Sequence, residues 1–104
     1  MESQQTNKEY TAQEKQDIFL LQNIPIKNIQ VSNMGCTIAV FEKTPQEVIN
    51  FLKLKGFEAH KNGVYHYLNN KEFYFIISNR RGVYFSLQIN PTLIEDLNLN
   101  HLKI

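Results

Sequence analysis

The sequence predicts an α+β domain with a mostly antiparallel sheet, and three observations carry that expectation. Apolar periodicity changes from about 3.6 to about 2 at Gly56, where a helix gives way to strands. Two capping boxes, Thr11-x-x-Glu14 and Thr44-x-x-Glu47, each precede an apolar run, as helix starts do. Short alternating segments are then separated by Asn, Gly and Arg-Gly clusters, the punctuation of hairpins rather than of long crossovers. The expected order is helix, two strands, helix, three or four strands, short helix.

Met1 to Tyr10 is polar and aperiodic and reads as a flexible leader. A helix follows from about Ala12 to Gln22. Its apolar residues Ile18, Phe19, Leu20 and Leu21 crowd into the last turns, so it should dock by its C-terminal end. Pro25 prevents continuation. Ile29 and Val31 then alternate with polar residues, Asn33-Met34-Gly35 turns the chain, and Cys36, Ile38 and Val40 alternate again. A hairpin with strands Lys27 to Ser32 and Cys36 to Glu42 is expected.

The stretch from Thr44 to Asn98 reads as the central block. Thr44 caps a helix with Pro45 at its first position, where a missing amide costs nothing. Gly56 ends it by taking a left-handed conformation, and Phe57 is placed to pack back on Leu52. Strands Phe57 to His60 and Val64 to Leu68 flank Lys61-Asn62-Gly63, and Glu72 to Ser78 and Val83 to Ile89 follow. Taking the last two as neighbours puts Phe73, Phe75, Ile77, Val83, Phe85, Leu87 and Ile89 on the core side. Tyr74, Ile76, Tyr84, Ser86 and Gln88 fall on the other. Asn90-Pro91-Thr92 opens a short closing helix with Leu93, Ile94 and Leu97.

At 104 residues the chain is expected to be one domain, residues 1–104. A net charge of +1 argues against a generic nucleic-acid binder, which is clearly basic, and against a strongly acidic nucleic-acid mimic. One cysteine forbids an internal disulfide, and with three scattered histidines it supplies no zinc spacing. No signal-like apolar run occupies Met1 to Asp17, and no stretch approaches the roughly 20 apolar residues of a bilayer span. A reduced, cytoplasmic setting is expected.

Catalysis finds no constellation to rest on. The glycines at 35, 56, 63 and 82 mark turns and make no nucleotide loop. His66, between Tyr65 and Tyr67 on a strand, reads either as a general acid or base or as a partly buried strand residue. Cys36 has no cationic neighbour in sequence to activate it and reads as a small apolar residue. We therefore expect no enzyme activity, no cofactor and no metal. Tyr65, Tyr67, Tyr74 and Tyr84, with Arg80, Arg81, Lys61 and Lys71 at the strand ends, form the one candidate binding surface. Aromatic faces rimmed by cations suit a protein interface or the stacking of bases, and the same face could instead be covered by the N-terminal helix.

Two bacterial families have similar stretches. Lys55-Gly56-Phe57-Glu58-Ala59, Phe73, Phe75, Phe85-Ser86-Leu87-Gln88-Ile89 and Leu93-Ile94-Glu95-Asp96-Leu97-Asn98 resemble the YbjN-type domain, which is similar in fold to type III secretion chaperones. That resemblance covers about half the chain. It implies a non-catalytic adaptor or chaperone that binds a protein segment, often as a dimer. Lys55-Gly56-Phe57 and Gly63-Val64-Tyr65-His66 are similar in placement to the HicA toxin family, whose small fold also runs helix, three strands, helix. Val64 and Tyr65 stand where that family's serine and catalytic histidine would be, which argues against RNase activity. The expected function is a small bacterial or phage-borne adaptor, chaperone or inhibitor that binds another protein through an aromatic strand face or a sheet edge. The alternative is an RNA- or single-stranded-DNA-binding module.

Overall fold

Thr11 opens the first helix as its capping box requires: its Oγ1 accepts from the Glu14 amide at 3.0 Å, and its own amide donates to Glu14 Oε1 at 2.9 Å. The computed structural model describes residues 9–104. It comprises α1 (Ala12–Asn23), β1 (Ile26–Val31), β2 (Thr37–Phe41), α2 (Pro45–Leu54), β3 (Glu58–Asn62), β4 (Tyr65–Asn69), β5 (Tyr74–Ser78), β6 (Ser86–Ile89), α3 (Thr92–Asp96) and a last 3-10 turn (Asn100–Leu102). The α+β class holds, but the strands divide into two antiparallel sheets, ordered β1-β2-β6 and β3-β4-β5. No helix among the described residues is long and apolar enough to cross a membrane. Of the expected leader, Met1 to Lys8 lies outside the described residues. Tyr10 is tied down, half-buried against the core with its hydroxyl 3.1 Å from Asp96 Oδ2.

The central helix forms as its sequence dictates. Thr44 and Glu47 exchange both capping-box bonds, and Pro45 stands at the start of α2. At the other end Gly56, at φ +95°, donates to Lys53 O, and Phe57 donates to Leu52 O. Those two bonds satisfy carbonyls the helix would leave open, in the Schellman arrangement. The closing helix uses the same device with an asparagine. Asn98, at φ 59°, donates to Glu95 O and Leu99 to Ile94 O.

β3 and β4 pair from Asn62↔Tyr65 outward, leaving Gly63-Val64 as a two-residue turn with Gly63 at φ +64°. β5 adds to β4 with Leu68 opposite Phe75 and His66 opposite Ile77. In the other sheet, Ile29, Ala39 and Leu87 stand in one row across β1, β2 and β6. The buried side of β2 is Thr37, Ala39 and Phe41, while Ile38 and Val40 are half-buried on the other face.

One expectation about strand order fails. The run Val83 to Ile89 does not form a strand beside β5; only Ser86–Ile89 is extended, and it pairs with β2. The cause lies just upstream, where Phe85 donates to Lys43 O at 2.8 Å and accepts from Phe41 at 2.9 Å. These bonds steer the chain onto the first sheet. Val83 is accordingly 45% exposed and no core residue, Phe73, Phe85 and Leu87 are half-buried, and Phe75, Ile77 and Ile89 are buried as expected. β6 thus completes the sheet that the first hairpin begins.

One apolar cluster nevertheless serves both sheets, running from Leu20 and Leu21 of α1 through Ile29, Phe41, Ile49, Leu52 and Leu68 to Leu93. Phe19 sits among Phe57, Phe73 and Phe75 with ring centroids 5.1 to 6.2 Å apart, so α1 docks by its C-terminal half.

Candidate functional site

Alternation along β4 and β5 places Tyr65, Tyr67, Tyr74 and Ile76 on one face of the second sheet, with His66, Leu68, Phe75 and Ile77 on the other. The tyrosine face is open: Tyr65 and Tyr74 are each 50% exposed, and α1 packs against the opposite side. Tyr67 and Tyr74 stack at 6.5 Å. Tyr84 does not join them. It lies outside any strand, where the Lys27 ammonium of β1 approaches its ring to 5.2 Å from the centroid. Arg80 and Arg81 lie in the connection after β5, beside the start of α2, where they and Thr44 and Gln46 line one hollow. Neither has a carboxylate partner among the described residues. The expected surface therefore separates into a tyrosine face and a connection bearing Arg80, Arg81 and Tyr84.

His66 points inward, 8% exposed, with its Nε2 unbonded. Burial pushes its pKa down, and the Lys61 and Lys53 charges push the same way. The imidazole lies on the core side of β4, on the opposite face from Tyr65 and Tyr67. Cys36 is half-buried in the turn before β2. His60 and His101 are exposed. Among the described residues no three His, Cys, Asp or Glu side chains gather to hold a metal ion.

The unexpected feature lies between β5 and β6. These strands are consecutive in sequence, yet no backbone hydrogen bond joins them. In an antiparallel ladder alternate residues turn both backbone groups to the same neighbour. Asn70 donates to Phe73 O and Asn79 to Val64 O, so Phe73, Phe75, Ile77 and Asn79 face β4. Ile76 and Ser78 therefore present their amides and carbonyls on the free side. By the same count from the Phe41–Phe85 bond, Ser86 and Gln88 turn theirs away from β2.

Both free edges line the same space. A hollow of about 460 Å³ has Ile76 and Ser78 on one wall, Ser86 and Leu87 on the other, and Arg80 at its end. A second of about 370 Å³ continues between the same strands toward α1, where Gln16, Asp17 and Leu20 form its floor. Together they make a groove with an apolar lining of Ile76, Ile77, Phe85 and Leu87 and a charged residue toward each end. The Gln16 side chain already acts there as a strand partner would, accepting from the Tyr74 amide at 2.7 Å.

Asp17 is the other residue that sequence reasoning missed. It is 4% exposed, accepts from Gln13 Nε2 at 3.0 Å, and forms no ion pair with a cation among the described residues. Burial pushes its pKa up, the Gln13 hydrogen bond works against this, and the nearby Glu14 charge adds to it. One signal was present: Asp17 is an acid placed directly before the apolar turns of α1.

No protein-family model matches the chain, and no curated protein or solved structure resembles it significantly.

Proposed function

We propose that the protein is a non-catalytic binding module that takes up an extended segment of another protein as a strand between β5 and β6. One observation carries this reading: two consecutive strands leave facing edges unpaired along one apolar-lined groove. Main-chain hydrogen bonds to such an edge supply affinity for an added strand, and the flanking side chains supply selectivity. The work suits an adaptor, chaperone or inhibitor in the cytoplasm, with no cofactor. The resemblance to the YbjN-type and secretion-chaperone families points the same way.

The test is affinity capture from the host lysate, with and without nuclease, using the wild type and the variants Ile76→Pro and Ser86→Pro. Each proline removes one edge amide. A protein that survives nuclease and is lost from both variants supports the reading; capture indifferent to both prolines refutes it. The exposed Tyr67–Tyr74 stack favours a second reading, a module that stacks single-stranded nucleic acid on the tyrosine face. It requires recovery of nucleic acid whose binding weakens steeply with salt, and Tyr74→Ser should abolish it.

A further inference from the structure

A strand that enters the groove meets different chemistry at its two ends. Toward the Tyr74 end of β5 stands Asp17, buried and without a cationic partner among the described residues. Toward the Ser78 end stands Arg80, also without an ionic partner. Between them the lining is apolar, formed by Ile76, Ile77, Phe85 and Leu87. The Asp17 carboxylate has one hydrogen-bond donor, the Gln13 amide, and no counter-charge among the described residues, and an ion largely withdrawn from water is stabilised by a counter-charge.

We propose that the segment recognised is a dipolar strand: a Lys or Arg that meets Asp17, apolar residues at alternate positions, and an Asp or Glu that meets Arg80. This rests on the strand-uptake reading above. β5 spans Tyr74 to Ser78, so at about 3.3 Å per residue the two charges of the ligand stand about four residues apart. The Asp17 end sets the selectivity, because the carboxylate there is buried whereas Arg80 is exposed and screened. Burial also raises the pKa of Asp17, and an incoming cation would lower it again.

The experiment is selection of phage-displayed random linear heptapeptides on the whole protein, followed by binding measurements with synthetic peptides of the enriched sequence. The expected result is enrichment of a basic residue near one end and an acidic one about four positions away. Replacing the basic residue of the peptide by glutamine should weaken binding to the wild type roughly tenfold or more. It should leave binding to Asp17→Asn nearly unchanged. The peptide substitution acts on unaltered protein, so it stays informative even if the Asp17 variant folds poorly.

Enriched peptides that Ser86→Pro blocks but that show no basic preference would overturn the dipolar assignment and leave strand uptake standing. Failure to enrich any peptide, or binding untouched by Ser86→Pro, would remove the strand-uptake reading and this inference with it.

Discussion

The two sheets have equal numbers of strands and the same antiparallel pairing, yet they treat their outer and inner edges differently. On the first sheet the outer edge, β1, is met by the end of the chain. Lys103 bridges to Ile29, and Ile104 donates to Ile29 O at 3.1 Å. The outer edge of the second sheet, β3, has no such cover, but it carries exposed Glu58, His60 and Lys61, the polar dressing that discourages edge-to-edge association. The inner edges are covered less: Gln16 takes the Tyr74 amide at the start of β5, and β6 carries only the uncharged Ser86 and Gln88. β5 presents Ile76, 56% exposed, and β6 faces it across the groove with free amides. The less guarded pair of edges face each other, which is the contrast on which the strand-uptake proposal rests.

The comparison breaks first if the sheets are independent. Phe41 of the first sheet is fully buried, and its ring packs tilted against Phe85 with centroids 5.3 Å apart. Truncation in Phe41→Ala should cost about 3–5 kcal/mol, the usual loss for a core phenylalanine. Because Phe41 and Leu68 belong to one apolar cluster, amide exchange in β3, β4 and β5 should accelerate together with that in β1 and β2. Unfolding in urea should remain a single transition. Exchange confined to the first sheet would mean two cooperative units joined by α2, and the groove would then be a cleft between independent bodies.

A smaller effect is expected where α2 hands over to the second sheet. Gly56 sits at φ +95° with open space around the position of a Cβ, so Gly56→Ala meets backbone strain and no clash. The cost should be about 1–2 kcal/mol, read as a shift of the urea midpoint at constant slope. A neutral result would show that the bonds from Gly56 and Phe57 to the end of α2 do not hold the junction.

Local chemistry explains what the sequence disclosed. Both capping boxes and the Gly56 stop depend on residues within a few positions of one another and form as read, while the expected Lys61-Asn62-Gly63 connection is shifted to Gly63-Val64, with Lys61 and Asn62 taken into β3. The face shared by Tyr65, Tyr67 and Tyr74 follows from alternation alone. The partner of β6 was not legible, because Val83, Phe85, Leu87 and Ile89 alternate equally well beside β5 or beside β2. The bonds of Phe85 to Lys43 and Phe41, far away in sequence, decide between them. Tyr84 was misplaced with that strand. The burial of Asp17 likewise depends on how α1 meets β5 and β6, which periodicity cannot express.

Acid should distinguish the second sheet from the first through His66. Its folded pKa lies below the ordinary value of 6.5 because burial disfavours the imidazolium, with Lys61 and Lys53 adding to the effect. Below about that pH the unfolded chain takes up a proton that the folded chain resists, so stability should fall as pH drops from 6.5. One group limits the slope to about 1.4 kcal/mol per pH unit. Asp17 acts oppositely in a more acidic window. Its folded pKa is raised from 3.8, so protonation in the folded state restores stability as pH falls through that raised value. Urea midpoints measured from pH 7 to 5 should show the His66 slope in the wild type and lose it in His66→Phe. An unchanged slope in the variant would place the acid sensitivity elsewhere.

The smallest expected effect is the one that tests the edges themselves. Pro removes an amide, so its cost in a strand depends on where that amide points. Ile76 turns its amide to the groove and Ile77 turns its own to His66 on β4. Ile76→Pro leaves the ladder to β4 intact, as prolines on edge strands do, and should therefore cost much less than Ile77→Pro. Ile77→Pro should cost about 3 kcal/mol or more through the lost ladder bond and the lost buried side chain. The pair share a strand and a residue type but differ in burial as well as in the direction of the amide, so Ile76→Ala and Ile77→Ala are the controls that subtract the lost side chains. If Ile76→Pro is as damaging as Ile77→Pro, the Ile76 amide is engaged in the folded protein and β5 has no open edge to offer. If it is mild, the same variant enters the capture experiment as a folded protein with one donor removed from the groove, and any lost binding reports on that donor.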